Sequence, residues 1–87
     1  MPPLESAIQT KIKNELEKKG YLVIKLIQTT LNGIPDLMAL RSGTTVFIEV
    51  KRPGNKPTPL QSYRHTQLIK QGFIVLTASS LKDIEQL

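Results

Sequence analysis

GIPDLMALRSGTTVFIEVK, residues 33–51, is the segment that decides the fold. Its two apolar runs flank Ser42-Gly43, and glycine supplies the positive φ that a tight hairpin turn requires. A two-residue turn fixes the register of the two strands, and in that register Asp36 lies directly opposite Glu49. The segment therefore predicts an antiparallel hairpin whose open end carries two carboxylates.

The alternation of side chains along a strand assigns the hairpin residues to two faces. Lys51 shares a face with Glu49, one step along the strand, and Met38 and Phe47 are expected to cover part of that face. The opposite face is apolar and comprises Leu37, Ala39, Val46, Ile48 and Val50.

The opposed carboxylates point to bound cations. Directly opposite side chains lie about 4.5–5.5 Å apart at Cβ, so Asp36 and Glu49 repel each other unless a positive charge lies between them. With Lys51 nearby, the three residues predict a metal site with an ammonium group beside it. Taken singly, each residue also fits an ordinary solvated position, Asp36 as a turn residue and the other two as an exposed strand face.

The same residues carry a family resemblance. Ile34-Pro35-Asp36 followed by Glu49-Val50-Lys51 resembles the signature of the PD-(D/E)xK nuclease superfamily. A leading helix with Glu5, Gly33 before the Pro-Asp pair, and a following helix opening with Gln61 resemble more narrowly the VRR-NUC (virus-type replication-repair nuclease) family, which is akin to archaeal Holliday-junction resolvases. The resemblance covers nearly the whole chain and implies a restriction-endonuclease-like fold.

The candidate metal ligands are hard oxygen donors. Asp36 and Glu49 suit Mg²⁺ or Mn²⁺, and the geometry of the strand lets the Val50 backbone carbonyl add another ligand. Lys51 would orient the attacking water and stabilise the charge that grows in the transition state. Whether Lys51 also accepts the proton stays open at this stage, because that role needs a lowered lysine pKa.

Two further catalytic residues depend on the resemblance. Glu5 lies in the first turn of the first predicted helix, near its apolar stripe, and could be a simple first-turn acid. Glu15 lies as close to that stripe, but Lys19 follows it by four residues as a surface partner. The resemblance implies that Glu5 reaches the metal, directly or through water, and it alone places Gln61 at the active site.

A basic surface is expected beside the site. The Pro-rich segment 52–59 cannot continue the strand, and it carries Arg52 and Lys56. Arg64, His65 and Lys70 are expected on exposed faces of the second helix. Arg52, Lys56, Arg64 and His65 are therefore the candidate nucleic-acid contacts, although a solvated basic loop without a role is the alternative for segment 52–59.

Composition narrows the class of protein. The 87 residues allow one domain, 1–87, and 12 Lys and Arg against seven Asp and Glu give a net charge of +5, which favours nucleic acid as a partner. The absence of cysteine excludes disulfides and thiolate zinc sites, and a single histidine excludes a histidine metal cluster. With no apolar run near the ~20 residues of a membrane span and no secretory signal, we expect an intracellular, cytoplasmic protein of a phage, virus or bacterium.

Periodicity and turn residues predict an α/β fold in the order αβββαβα, a mixed sheet flanked by helices. One side of the second helix is expected to face the sheet, and it comprises Leu60, Tyr63, either Gln67 or Leu68, and Gln71. Ser80 with Asp83 predicts an approximate capping box at the start of the closing helix. The predicted elements are a helix over 4–19 stopped by Gly20, a strand over 21–27, the hairpin, a helix over 60–71, a strand over 73–77, and a closing helix from 81.

Together these features predict metal-dependent hydrolysis of DNA phosphodiesters. The resemblance further implies a structure-selective endonuclease in DNA repair, namely a homodimeric resolvase of four-way (Holliday) junctions that leaves 5′-phosphates. The first alternative is a non-catalytic nucleic-acid-binding module in which the acids are incidental. Others are a nuclease-like scaffold and a less selective flap or single-strand nuclease.

Overall fold

The computed structural model describes residues 4–87, so the first three residues of the predicted 1–87 domain lie outside the description. The element order confirms the predicted α/β fold, except that the closing helix is a 3₁₀ helix of only four residues. The elements are α1 (Glu5–Lys18), β1 (Leu22–Lys25), β2 (Leu37–Arg41), β3 (Thr44–Val50), α2 (Pro59–Lys70), β4 (Ile74–Ala78) and the 3₁₀ helix (Leu81–Ile84).

The hairpin turn has the predicted length. Ser42-Gly43 forms the two-residue connection with φ angles of 50° and 79°, and two consecutive positive φ values match the type I′ turns that suit the twist of paired strands. The strand pairing places Leu37 opposite Ile48. Continuing that register by one pair sets Asp36 opposite Glu49, as the sequence predicts.

The sheet is mixed and has the order β1-β2-β3-β4. β1 and β3 both run antiparallel to β2, whereas β4 runs parallel to β3. A parallel neighbour requires a crossover connection, and α2 provides it. No helix within residues 4–87 is long and apolar enough to span a membrane.

The core lies on one face of the sheet, under α1. The apolar face predicted for the hairpin is buried there, and α1 contributes three residues at four-residue spacing, Ile8, Ile12 and Leu16. Ile84 of the 3₁₀ helix closes one side. Full burial of such aliphatic side chains stabilises the fold by about 1.5–3 kcal/mol each, so this single layer supplies most of the hydrophobic stabilisation.

α2 turns a different side to the sheet from the one predicted. Its half-buried residues are Gln61, Arg64, His65 and Leu68, which share one helix face. The expected inward residues Leu60 and Tyr63 are instead 44% and 57% exposed. The physical reason is that the sheet face beneath α2 carries the Glu49 carboxyl group, so polar side chains face it. Compared with the prediction, the helix is rotated about its axis by about 100°, which corresponds to one residue.

The capping prediction at the closing helix is also wrong in detail. Ser80 makes no side-chain cap, and Asp83 Oδ2 instead accepts the Ser79 backbone N–H at 2.8 Å. The acid thus reaches one residue further back than a capping box requires, because the short helix is 3₁₀ and tighter than an α-helix.

We predict that Ile48→Ala lowers the free energy of unfolding by about 2–5 kcal/mol, because the side chain is fully buried in the core. The matched control is Ile69→Ala on α2, where the side chain is 55% exposed and the cost should stay within about 0.5 kcal/mol. Urea denaturation of both variants measures the difference. Equal losses would contradict a core confined to the α1 face.

Candidate active site

Asp36 is held by hydrogen bonds from β3 and from the residue that follows β1. It follows the buried Pro35 and precedes the first residue of β2. Its Oδ2 accepts the Val50 backbone N–H at 2.8 Å, and its backbone carbonyl accepts the Leu26 N–H at 2.8 Å. The position of this carboxylate is therefore fixed by backbone hydrogen bonds rather than by flexible side chains.

Glu49 is buried opposite it. Its side chain is 1% exposed, and it is the only buried charged residue in the described part of the chain. Glu49 lies in β3, and Oε1 is 3.2 Å from Nε2 of His65 on α2. Burying a carboxyl group is costly unless it is paired or neutralised, so Glu49 is a candidate functional residue.

The neighbourhood shifts the proton affinity of Glu49. The pKa of its carboxyl is raised from 4.5 to about 8, first by burial, then by the hydrogen bond and negative charge of Asp36, with a smaller contribution from Glu5. The positive charge of Lys51 acts in the opposite direction. Without a bound cation, the two opposed carboxyl groups therefore retain a proton near pH 7.

The imidazole of His65 is shifted in the opposite sense. Burial lowers the pKa of His65 below its ordinary 6.5, the positive charge of Lys51 lowers it further, and Asp36 partly offsets both. His65 is thus neutral near pH 7. It was expected on an exposed face of α2, but the structure places its half-buried ring against Glu49.

Lys51 and Glu5 lie close enough for their charges to act on Glu49. Lys51 is half-buried directly after β3, and its backbone N–H donates to the Ala78 carbonyl at 2.9 Å. Across residues 4–87, no cluster of three or more His, Asp or Glu side chains could hold a metal ion.

Gln61 has a structural task. Its Oε1 accepts the Thr58 backbone N–H at 2.9 Å, and its own N–H donates to the Thr58 hydroxyl at 3.2 Å. This reciprocal pair is a capping box that fixes the start of α2. The side chain is half-buried on the face of α2 that also carries His65.

The basic residues differ in how they are held. Lys56 is exposed in the loop after β3, and Arg52 is half-buried there. Arg64 Nε donates to the Asn32 carbonyl at 2.8 Å, and Nη1 donates to Gln67 Oε1 at 2.9 Å. Arg64 therefore clamps α2 to the loop that leads into Asp36.

Comparison with known proteins gives the context of this site. A protein named "Putative nuclease p44", from Acyrthosiphon pisum secondary endosymbiont phage 1, is 37% identical over an alignment of 83 residues, and the match covers 92% of this chain and 89% of that protein. A solved structure described as a VRR_NUC domain is 35% identical and superposes with a TM-score of 0.84, covering 95% of this chain and 91% of that one. The chain belongs to the VRR-NUC family. No protein-family model matches it.

Three features of this VRR-NUC domain escaped the sequence analysis. They are the contact of His65 with Glu49, the Arg64 clamp, and the close packing of Gly33, where an added Cβ would lie 2.9 Å from the Leu60 side chain. One signal could have found the first. His65 follows Gln61 by four residues, so a helix that directs one toward the site directs the other there too.

We predict that the metal-free VRR-NUC domain loses stability as the pH rises from 4.5 to 8. Between these values the folded state keeps the Glu49 proton, whereas the unfolded chain has lost it. The free energy of unfolding therefore falls by at most about 1.4 kcal/mol for each pH unit. Chemical denaturation in EDTA across this range measures the decline, which Glu49→Gln should reduce. The exposed Glu17→Gln is the control, and parallel curves for all three proteins would refute the shifted pKa.

Proposed function

We propose that this protein is an endonuclease that hydrolyses phosphodiester bonds of DNA. Asp36 and Glu49 form its active site and act with a divalent cation. The observation that carries the proposal is the opposed carboxylate pair in a domain of the VRR-NUC family. Among residues 4–87, neither carboxylate forms a salt bridge with a lysine or an arginine. The pair is therefore available to an external cation, which would displace the retained proton and relieve the repulsion between the two carboxylates.

The donor set fits Mg²⁺ or Mn²⁺. Asp36, Glu49 and the Val50 backbone carbonyl would hold the ion, and Glu5 would act on it directly or through water. A divalent cation in such a site polarises a phosphoryl oxygen and lowers the pKa of a bound water. The two acids would hold the cation in a defined position, because Asp36 is hydrogen-bonded to the β3 backbone and Glu49 is buried.

We assign to Lys51 the stabilisation of the transition state. Its charge acts on both Glu49 and His65, and from this neighbourhood the ammonium would orient the attacking water and stabilise growing negative charge. Gln61 would assist from the first turn of α2, the role that the family resemblance implies for it.

The DNA backbone would be held by the basic residues around this site. Arg52 and Lys56 follow Lys51 in the chain, and Arg64 and Lys70 lie on α2. Phosphate contacts of this kind are sequence-independent and weaken with salt, which agrees with a domain of net charge +5. We place this activity inside a cell, in the cytoplasm.

For the substrate we favour a four-way junction cut by a homodimer in DNA repair. The support is the resemblance to junction resolvases, in which a two-fold axis presents two sites to opposing strands. Sedimentation at several protein concentrations measures the assembly. A monomer that still makes paired symmetric cuts in a junction would argue against the dimer.

We predict that Asp36→Asn, Glu49→Gln and Lys51→Ala each lower metal-dependent cleavage by at least about 100-fold. Labelled four-way junction, flap and linear duplex DNA are incubated with Mg²⁺ or Mn²⁺, and the exposed Lys18→Ala serves as the control for Lys51. Paired symmetric nicks in the junction support the resolvase. Equal cutting of all substrates leaves a nuclease without junction selectivity, and salt-sensitive binding without cutting leaves a non-catalytic binding module.

A further inference from the structure

His65 lies where a hydrogen bond can set the orientation of a buried acid. Its side chain is 12% exposed, and Nε2 is 3.2 Å from Oε1 of Glu49, whose side chain is 1% exposed. A residue that binds DNA phosphate needs its donor at the surface. The ring instead directs its Nε2 into the protein, toward the carboxyl group.

We propose that His65 is a positioning residue for Glu49, and this inference depends on the proposed function of the carboxylate pair. When Glu49 is ionised, the Nε2–H tautomer donates to Oε1 and restricts the rotation of that carboxylate. Asp36 has a corresponding anchor in the Val50 backbone N–H at 2.8 Å. Each acid is therefore fixed by a donor on a different element, and outer groups that orient metal ligands in this way contribute to metal affinity.

In the assembled site, α2 is anchored at two places. The Thr58–Gln61 capping box fixes its first turn, and the Arg64 Nε bond to the Asn32 carbonyl at 2.8 Å ties its middle to the loop before Asp36. Gly33 strengthens the tie, because its backbone approaches the helix where a Cβ would lie 2.9 Å from Leu60. The helix that carries His65 is thus joined to the segment that carries Asp36. The hydrogen bond between His65 and Glu49 then restricts the position of one acid relative to the other.

The test compares two substitutions of His65. His65→Gln keeps an N–H donor at a similar reach, whereas His65→Leu keeps the bulk and removes the donor. The exposed Lys56→Ala represents the loss of a phosphate contact. Circular dichroism establishes that each variant is folded before the binding measurements.

The first readout is Mn²⁺ binding to the DNA-free protein by titration calorimetry. We expect His65→Leu to weaken Mn²⁺ binding about 10–100-fold and His65→Gln to recover most of it. The second readout is binding to a four-way junction in EDTA, where His65→Leu should stay within about twofold of the wild type and Lys56→Ala should weaken binding. Weaker junction binding by His65→Leu with unchanged Mn²⁺ affinity would overturn the positioning role in favour of a phosphate contact.

A double-mutant cycle in EDTA separates this inference from the proposed function. If the contact forms, the drop in melting temperature caused by His65→Leu becomes smaller in a Glu49→Ala background, because the carboxyl group that lost its partner is no longer present. Additive shifts would mean that the contact is absent and would overturn the inference. Non-additive shifts in a protein that binds no Mn²⁺ would defeat the proposed function and reduce the contact to a structural one.

Discussion

The register of the hairpin is the constraint on which the rest of the structure depends. The two positive φ angles at Ser42-Gly43 fix the loop length, and the loop length decides which side chains share a face. In the observed register, the apolar residues of β2 and β3 meet α1, while Asp36 and Glu49 meet on the other side. A shift of one residue in a single strand would expose that strand's core residues and separate the two acids.

The buried acid in turn determines what the second helix can present. An apolar helix face placed over Glu49 would offer its carboxyl group no hydrogen-bond partner from the helix, whereas α2 presents His65, Gln61 and Arg64 on that face. The two helices therefore do different work. α1 buries three aliphatic side chains and stabilises the sheet, while α2 buries none and is held by hydrogen bonds near the site.

The sequence was sufficient for the features that depend on short-range patterns. The turn, the register, the apolar face and the approach of Asp36 to Glu49 all follow from a two-residue loop and period-two alternation. The side of α2 that faces the sheet was not predictable from amphipathicity, because that reasoning assumes an apolar surface beneath the helix. The Arg64 clamp was also out of reach, since its partner is the backbone carbonyl of Asn32, and a carbonyl carries no sequence signal.

Because α2 has no buried residue, its detachment would expose little apolar surface. Such an opening should require less free energy than unfolding of the core, and amide hydrogens of α2 should exchange with solvent ahead of those of α1 and β3. His65 and Gln61 would leave the site together in that open form, while Asp36 and Glu49 would stay on the sheet. The site would then lose its α2 residues and regain them within a protein that remains folded.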